Sequence, residues 1–383
     1  MPNTPLPAHP TTGYAARCIV TMNPAQPQAT HVAVRGDRIL AVGDLARMQA
    51  WGDYTLDTSF ADKVLLPGFV EGHCHLKEGS MWDTPYLGWF DRRDPQGRTW
   101  PGLRTMDAVV ARLVEIDAAM AAAGQAPDAP LIAWGFDPIY FGGARMTVLH
   151  IDQVGASATA TGQRPIVIAH ANGHLLNVNS AMLRLAGIDA DTGVEGIVTF
   201  DANLDANQPD GLAGQPTGEL QEPAAMHLVL RRVGNAGLLA PINDAGLRAF
   251  AQIATLQGVT TATDLVNRLG DTELDVLQRC TADDHFAVRI APAFQAFHGA
   301  LGAAQGAARV VALQPQSTER LRFGLVKMML DGSIQGFSAR LRWPGYLSGA
   351  DGHKPNGIWV TAPAQFEADF KRCTPSPWVR PGR

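Results

Sequence analysis

The 383-residue sequence is poor in cysteine, with four residues (Cys18, Cys74, Cys280 and Cys373) far apart and no CxxC pair. That excludes a disulfide framework and a thiolate zinc site, and it fits a reducing cytoplasm. No stretch reaches about 18 consecutive apolar residues, and the polar, proline-rich start has neither a basic nor an apolar leader segment, so nothing marks the chain for the membrane or for export. There is no run of Lys or Arg. With 31 basic against 36 acidic residues the net charge is −5, so the electrostatic attraction that drives nucleic-acid or anionic-lipid binding has no source. Neither GxGxxG after a strand nor GxxxxGK[ST] occurs, and no nucleotide cofactor is expected. Charged residues make up 17% and hydrophobic residues 46%, which is too apolar for disorder. What is abundant is Gly (39) and Pro (26), the punctuation of a fold rich in turns.

Along the chain, residues 14–66 show short alternating β runs (CIVTM, THVAVRG, RILAVG, KVLLPGF), a helical LARMQAW and a hairpin at Arg35-Gly36-Asp37-Arg38, and predict a small β-sheet domain. The apolar run Leu65-Leu66-Pro67-Gly68-Phe69-Val70 leads into Glu71-Gly72-His73-Cys74-His75, which places candidate chemistry at the C-terminal end of a buried strand. Residues 81–240 read as a large insertion over a barrel mouth: aromatic, Gly-rich loops, one helix (MDAVVARLVEIDAAMAAAG) and two strand-like runs, LIAWGFD and PIVIAH. From Asn243 a helix-then-strand rhythm gives VTTATDL, VRIAPAF and LVKMML. With the His73 strand these make four parallel strands of an α/β fold over 67–80 and 241–372. A helix capped by Thr361 precedes an irregular tail, 373–383.

His73 and His75 alternate by two, so a strand presents both imidazoles on one face, as a metal site requires, while Cys74 points the other way. Two histidines alone are equally compatible with an incidental pattern. Lys327 in VKMML is costly if buried without a partner, and the plain reading is a strand-edge lysine reaching solvent. His174 reads as a residue closing a loop hydrogen bond, and Glu222 and Asp331 as solvated loop carboxylates. His170 is structural. Trp82, Tyr86, Trp89, Phe90 and Trp134 pack the inserted region, with some available to line an apolar pocket.

PGFVEGHCH resembles the first barrel strand of the amidohydrolase superfamily, with Glu71 where that pattern has Asp. The runs GHLLNVNSAML (173–183), PTGELQE (216–222), GVTT (258–261) and VKMMLDGS (326–333) extend the resemblance to the amidohydrolase-3 branch, which includes N-substituted formamide deformylases. The resemblance implies a metal-dependent hydrolase TIM-type barrel, here partial at about the first four βα units, with a small β-domain before it and the insertion within it. It implies divalent metal, zinc by preference, held by His73, His75 and a carboxylated Lys327, with His174, Glu222 and Asp331 in the substrate pocket. A metal hydroxide would attack a non-peptide amide or formamide carbon, giving a carboxylate and an amine. The family's later histidines and its strand-8 Asp have no counterpart. After Lys327 the only histidine is His353, so no catalytic proton shuttle is assigned and the chain is expected to be a truncated or frameshifted member. Exposed edges of a half barrel would favour aggregation or pairing of copies. Two alternatives share the scaffold: a non-catalytic ligand-binding remnant, and an esterase or deaminase.

Overall fold

The computed structural model describes residues 10–142, 144–155, 163–200, 211–234, 242–296, 302–342, 345–346 and 356–373. His353 and the tail after Cys373 lie outside the described residues. The chain divides after Val70. In the first unit β1 (Thr11–Val20), β2 (Gln28–Arg35), β3 (Arg38–Gly43) and β4 (Thr55–Leu65) form a sheet in the order β3-β2-β1-β4, with a short helix α1 (Leu45–Gln49) after β3. Asp44 caps α1 by accepting from the Arg47 amide. The turn at 35–38 is the expected hairpin, with Gly36 at φ 59°. β4 begins eight residues ahead of the expected KVLLPGF run. It pairs in parallel with β1, and most of its residues are exposed.

In the second unit the chain continues from β5 (Phe69–Cys74) into a short hairpin, β6 (Arg92–Arg93) and β7 (Thr99–Trp100), and then α2 (Met106–Ala122). β8 (Leu131–Phe136), α3 (Val148–Ile151), β9 (Ile166–His170), β10 (Leu175–Val178), α4 (Ser180–Ala186), β11 (Ile197–Thr199), β12 (Pro216–Gln221) and α5 (Glu222–Val233) follow. Five of these strands make one sheet, β11-β12-β10-β9-β8, in which only β8 and β9 run parallel. Successive residues of β9 serve opposite cores. Val167 and Ala169 join Leu176, Val178 and Leu220 on one face, while Ile166 and Ile168 join Leu113, Leu131 and Phe136 on the other. The sequence showed β8, β9 and α2 but not β10, β12, α4 or α5. The strands are broken by Gly, Asn and Pro and α4 is short, so no period is sustained there, whereas α5 does bury Ala225, Met226, Val229 and Leu230 at helical spacing.

The remaining elements are α6 (Asp244–Leu256), β13 (Val259–Asn267), α7 (Asp271–Ala282), β14 (Arg289–Gln295), α8 (Ala303–Leu313), β15 (Leu325–Lys327) and α9 (Pro363–Cys373). Their strands pair in parallel with β5 at the edge, order β15-β14-β13-β5, the sequential curled half-barrel sheet of an α/β fold. Asn243 caps α6, whose Leu247, Ala251 and Ala254 recur at helical spacing and bury against Leu274, Leu277, Ile290 and Phe294. Gly306 lets α8 approach the Phe294 ring, which a Cβ would strike. Two expectations are corrected. β5 is not a buried strand: it is flanked by β13 alone, and Glu71 to His73 are exposed. β15 is only three residues long: it covers Leu325–Lys327 and does not extend through Met328 to Leu330. Among the described residues no helix is long and apolar enough to cross a membrane.

Leu277 is fully buried in the core under the parallel sheet, whereas Leu256 is 50% exposed at the end of α6. L277A is expected to cost about 3 kcal/mol of unfolding free energy, and L256A about 0.5 kcal/mol, in urea denaturation. Equal costs would show that this sheet and its helices do not form the core described.

Candidate active site

The C-terminal end of β5 presents His73 and His75 on one side, their ring centroids 5.5 Å apart and edge to face. Cys74 turns inward, donating to the Thr263 carbonyl of β13 at 3.3 Å, and burial pushes its thiol well above the ordinary range. Glu71 folds back to accept the His73 amide at 2.9 Å. His73 is held below the usual histidine range, first by desolvation and then by the neighbouring His75 and Lys327, with His174 adding to the effect and Glu71 opposing it. Residues from β5, from the end of β15 and from the turn before β10 thus act on one imidazole electrostatically.

His75 Nδ1 is buried without a hydrogen-bond partner, 3.8 Å from Oδ1 of Asp264. Asp264 on β13 is fully buried and accepts from Asn267 Nδ2 at 2.9 Å and the Val266 amide at 3.2 Å. Sequence reasoning missed Asp264. Its signal was a lone carboxylate inside the strand run VTTATDL, one strand over from the histidines.

His174 follows the Asn172-Gly173 turn, in which Asn172 Oδ1 accepts its amide at 2.8 Å. Its Nδ1 meets Glu222 Oε2 at 2.9 Å, and the Glu222 amide returns a bond to the His174 carbonyl at 2.8 Å. Glu222 is not the solvated loop carboxylate expected. Its side chain is 3% exposed, it opens α5 at φ 63°, and it also accepts from the Ser333 amide and the Ser338 hydroxyl. Gly332 makes this approach possible, since a Cβ there would run into Glu222 and Ser338. Asp331 accepts the Arg340 amide at 2.8 Å and bridges to Trp359, so its carboxylate serves the chain's own backbone.

His170 is structural as expected. It is buried with Nε2 on Asn177 Oδ1, Asn177 donates to the Met146 carbonyl, and beside them Arg145 pairs with the buried Glu219. Trp82, Tyr86 and Trp134 pack on one another in tilted and edge-to-face arrangements with centroids 5.0 to 5.9 Å apart, and Trp89 and Phe90 pack on Tyr140. A cavity of about 570 Å³ lined by Arg248, Gln252, His285 and Phe286 lies just ahead of β14 in the chain and contains none of these residues. Its arginine is already paired with Asp283.

Among the described residues no three His, Cys, Asp or Glu side chains gather as a metal-binding cluster. The donor set here is two imidazoles and Lys327, with an unpartnered His75 nitrogen among them. That set fits a divalent ion once the lysine nitrogen carries a carboxylate, which turns a cation into an oxygen ligand.

The pattern of the amidohydrolase family matches residues 61–353. The fold is similar to crystal structures of two uncharacterized metal-dependent hydrolases. The one from Pyrococcus furiosus has TM-score 0.51 and 16% identity, covering 95% of this chain and 64% of that one. The one from Pyrococcus horikoshii OT3 has TM-score 0.53 and 14% identity, covering 95% and 62%. In sequence the chain is similar to Protein LONG AFTER FAR-RED 3 of Arabidopsis thaliana, 26% identical over 250 residues (64% of this chain, 37% of the relative). It is also similar to Exoenzymes regulatory protein AepA of Pectobacterium carotovorum subsp. carotovorum, 29% identical over 227 residues (57% and 42%). The matched segments thus span about two fifths of those curated relatives.

Burial holds His170 below the usual histidine range, so the native protein refuses a proton that the unfolded chain accepts. Stability from this source is present above about pH 6.5 and falls as pH drops below it, by up to about 1.4 kcal/mol per pH unit. H170N is expected to flatten that share of the acid limb when urea unfolding is compared at about pH 7.5 and pH 5.5. An unchanged slope would remove His170 from the account.

Proposed function

The chain belongs to the amidohydrolase family, and from that premise we propose that it is a hydrolase cleaving a non-peptide carbon–nitrogen bond of a small amide-type molecule. The observation that carries the reading is that His73 and His75 stand together at the C-terminal end of β5 while Lys327 ends β15 of the same parallel sheet, where α/β folds place their chemistry. His73, His75 and carboxylated Lys327 would hold the divalent ion, zinc by preference for imidazole ligands. When bound, such an ion polarises a carbonyl and makes hydroxide available near neutral pH.

The other roles fall to the chain's own groups. Asp264, 3.8 Å behind His75 on the strand next door, is the carboxylate that would accept from its Nδ1 and orient the ring once the two close to hydrogen-bond distance. His174 reaches the substrate from the turn before β10, on the sheet within residues 81–240 that we take as the cover of the barrel mouth. The Trp82, Tyr86 and Trp134 cluster supplies an apolar wall able to exclude water. Four free thiols fit action in the cytoplasm.

A second reading, ligand binding without turnover, draws on one observation. Glu222 and Asp331 are engaged by the protein's own donors, so neither is free to carry a proton to a leaving amine.

The test is metal analysis and assay of the purified 383-residue chain and of the H73A/H75A double variant. The expected result is stoichiometric zinc in the parent and none in the variant. Hydrolysis of N-formyl amines or N-acyl amino acids should exceed that of aryl esters. Unchanged metal content in the variant would end the ligand assignment, and tight binding without hydrolysis would favour the second reading.

A further inference from the structure

The two carboxylate oxygens of Glu222 meet different company. Oε1 takes the Ser333 amide at 3.3 Å and the Ser338 hydroxyl. The Ser338 oxygen itself accepts from the Ser333 amide at 3.0 Å, which leaves its own proton for the carboxylate. Oε2 meets His174 Nδ1 at 2.9 Å. A carboxylate accepts and does not donate, so the proton of this contact sits on Nδ1, and in the neutral ring Nε2 keeps a bare lone pair. Nε2 has no hydrogen-bond partner among the described residues, and the side chain is 26% exposed. The reciprocal bond from the Glu222 amide to the His174 carbonyl holds the pair at a non-glycine φ of 63°, a conformation kept only where the surroundings fix it. In water, free histidine prefers the other tautomer, with the proton on Nε2.

We propose that Glu222 is a positioning residue that locks His174 in its Nδ1–H form, and that Nε2 accepts a hydrogen bond from the substrate. The site would then select molecules carrying an N–H donor at the scissile group, secondary amides over tertiary ones. The substrate half of this proposal rests on the hydrolase reading above, and the tautomer half does not.

The test is a long-range ¹H–¹⁵N correlation spectrum of the full chain labelled with ¹⁵N-histidine, with His174 assigned by its disappearance in H174N. Wild type is expected to show the proton on Nδ1. In E222Q, the two donors at the Oε1 side hold the amide oxygen there and turn the amide nitrogen toward Nδ1, so the proton should move to Nε2. A wild-type ring protonated on Nε2 overturns the proposal even if E222Q fails to fold, and a folded E222Q without the switch overturns it too. In the activity arm, a secondary amide should be cleaved about ten-fold faster in kcat/KM than its N-methyl analogue, the worth of one hydrogen bond, and E222Q should erase that preference. Equal rates in wild type overturn the substrate half. If neither amide is cleaved, the hydrolase reading and the substrate half fail together, while the spectrum alone decides the positioning role.

Discussion

A carboxylate taken out of water has to be matched by donors, and around Glu222 that requirement organises three separate stretches of chain. His174 comes from the turn before β10, Ser333 and Ser338 come from the segment after β15, and Glu222 itself opens α5. Removing any one donor would leave a buried lone pair unpaired, which costs more than a typical hydrogen bond contributes. The sheet of residues 131–221 and the strand carrying Lys327 are thereby tied by polar bonds as well as by apolar packing. The positive φ of Glu222 and the glycine at 332 are the local consequences of bringing that carboxylate so close to a second backbone.

The parallel sheet supplies the other constraint. Strands that run the same way end on the same side, so His73 and Lys327, over 250 residues apart in sequence and on the two edges of the sheet, come to the same end of it without any local signal that they should. His73 is held below the usual histidine range first by its desolvation, and the basic groups of His75 and Lys327 add to that. Such crowding of nitrogen donors is unfavourable for a set of protonated groups and favourable for a set of ligands. His75 adds a buried ring nitrogen that the protein leaves unpartnered.

The chain belongs to the amidohydrolase family, and its fold is similar to those of two metal-dependent hydrolases. On the proposed reading, substrate choice would rest with the sheet of residues 131–221 and its aromatic cluster, because one scaffold serves many pockets. The contribution of that region is geometric: β9 buries its two faces in two different cores, and the turn between it and β10 carries His174.

The sequence by itself determined the strand that carries HxH, the helix-and-strand rhythm after Asn243, and the opposite pointing of Cys74, because alternation and helical spacing are local periods that a chain states directly. It also singled out His73, His75, Lys327 and His174 through motif context. Only the tertiary structure decided that β5 is an exposed edge, that Asp264 stands behind His75, and that Glu222 is buried rather than solvated. Burial and partnership of a polar group depend on what the rest of the chain brings to it. A glutamate before a proline has the same sequence signature whether water or three donors surround it.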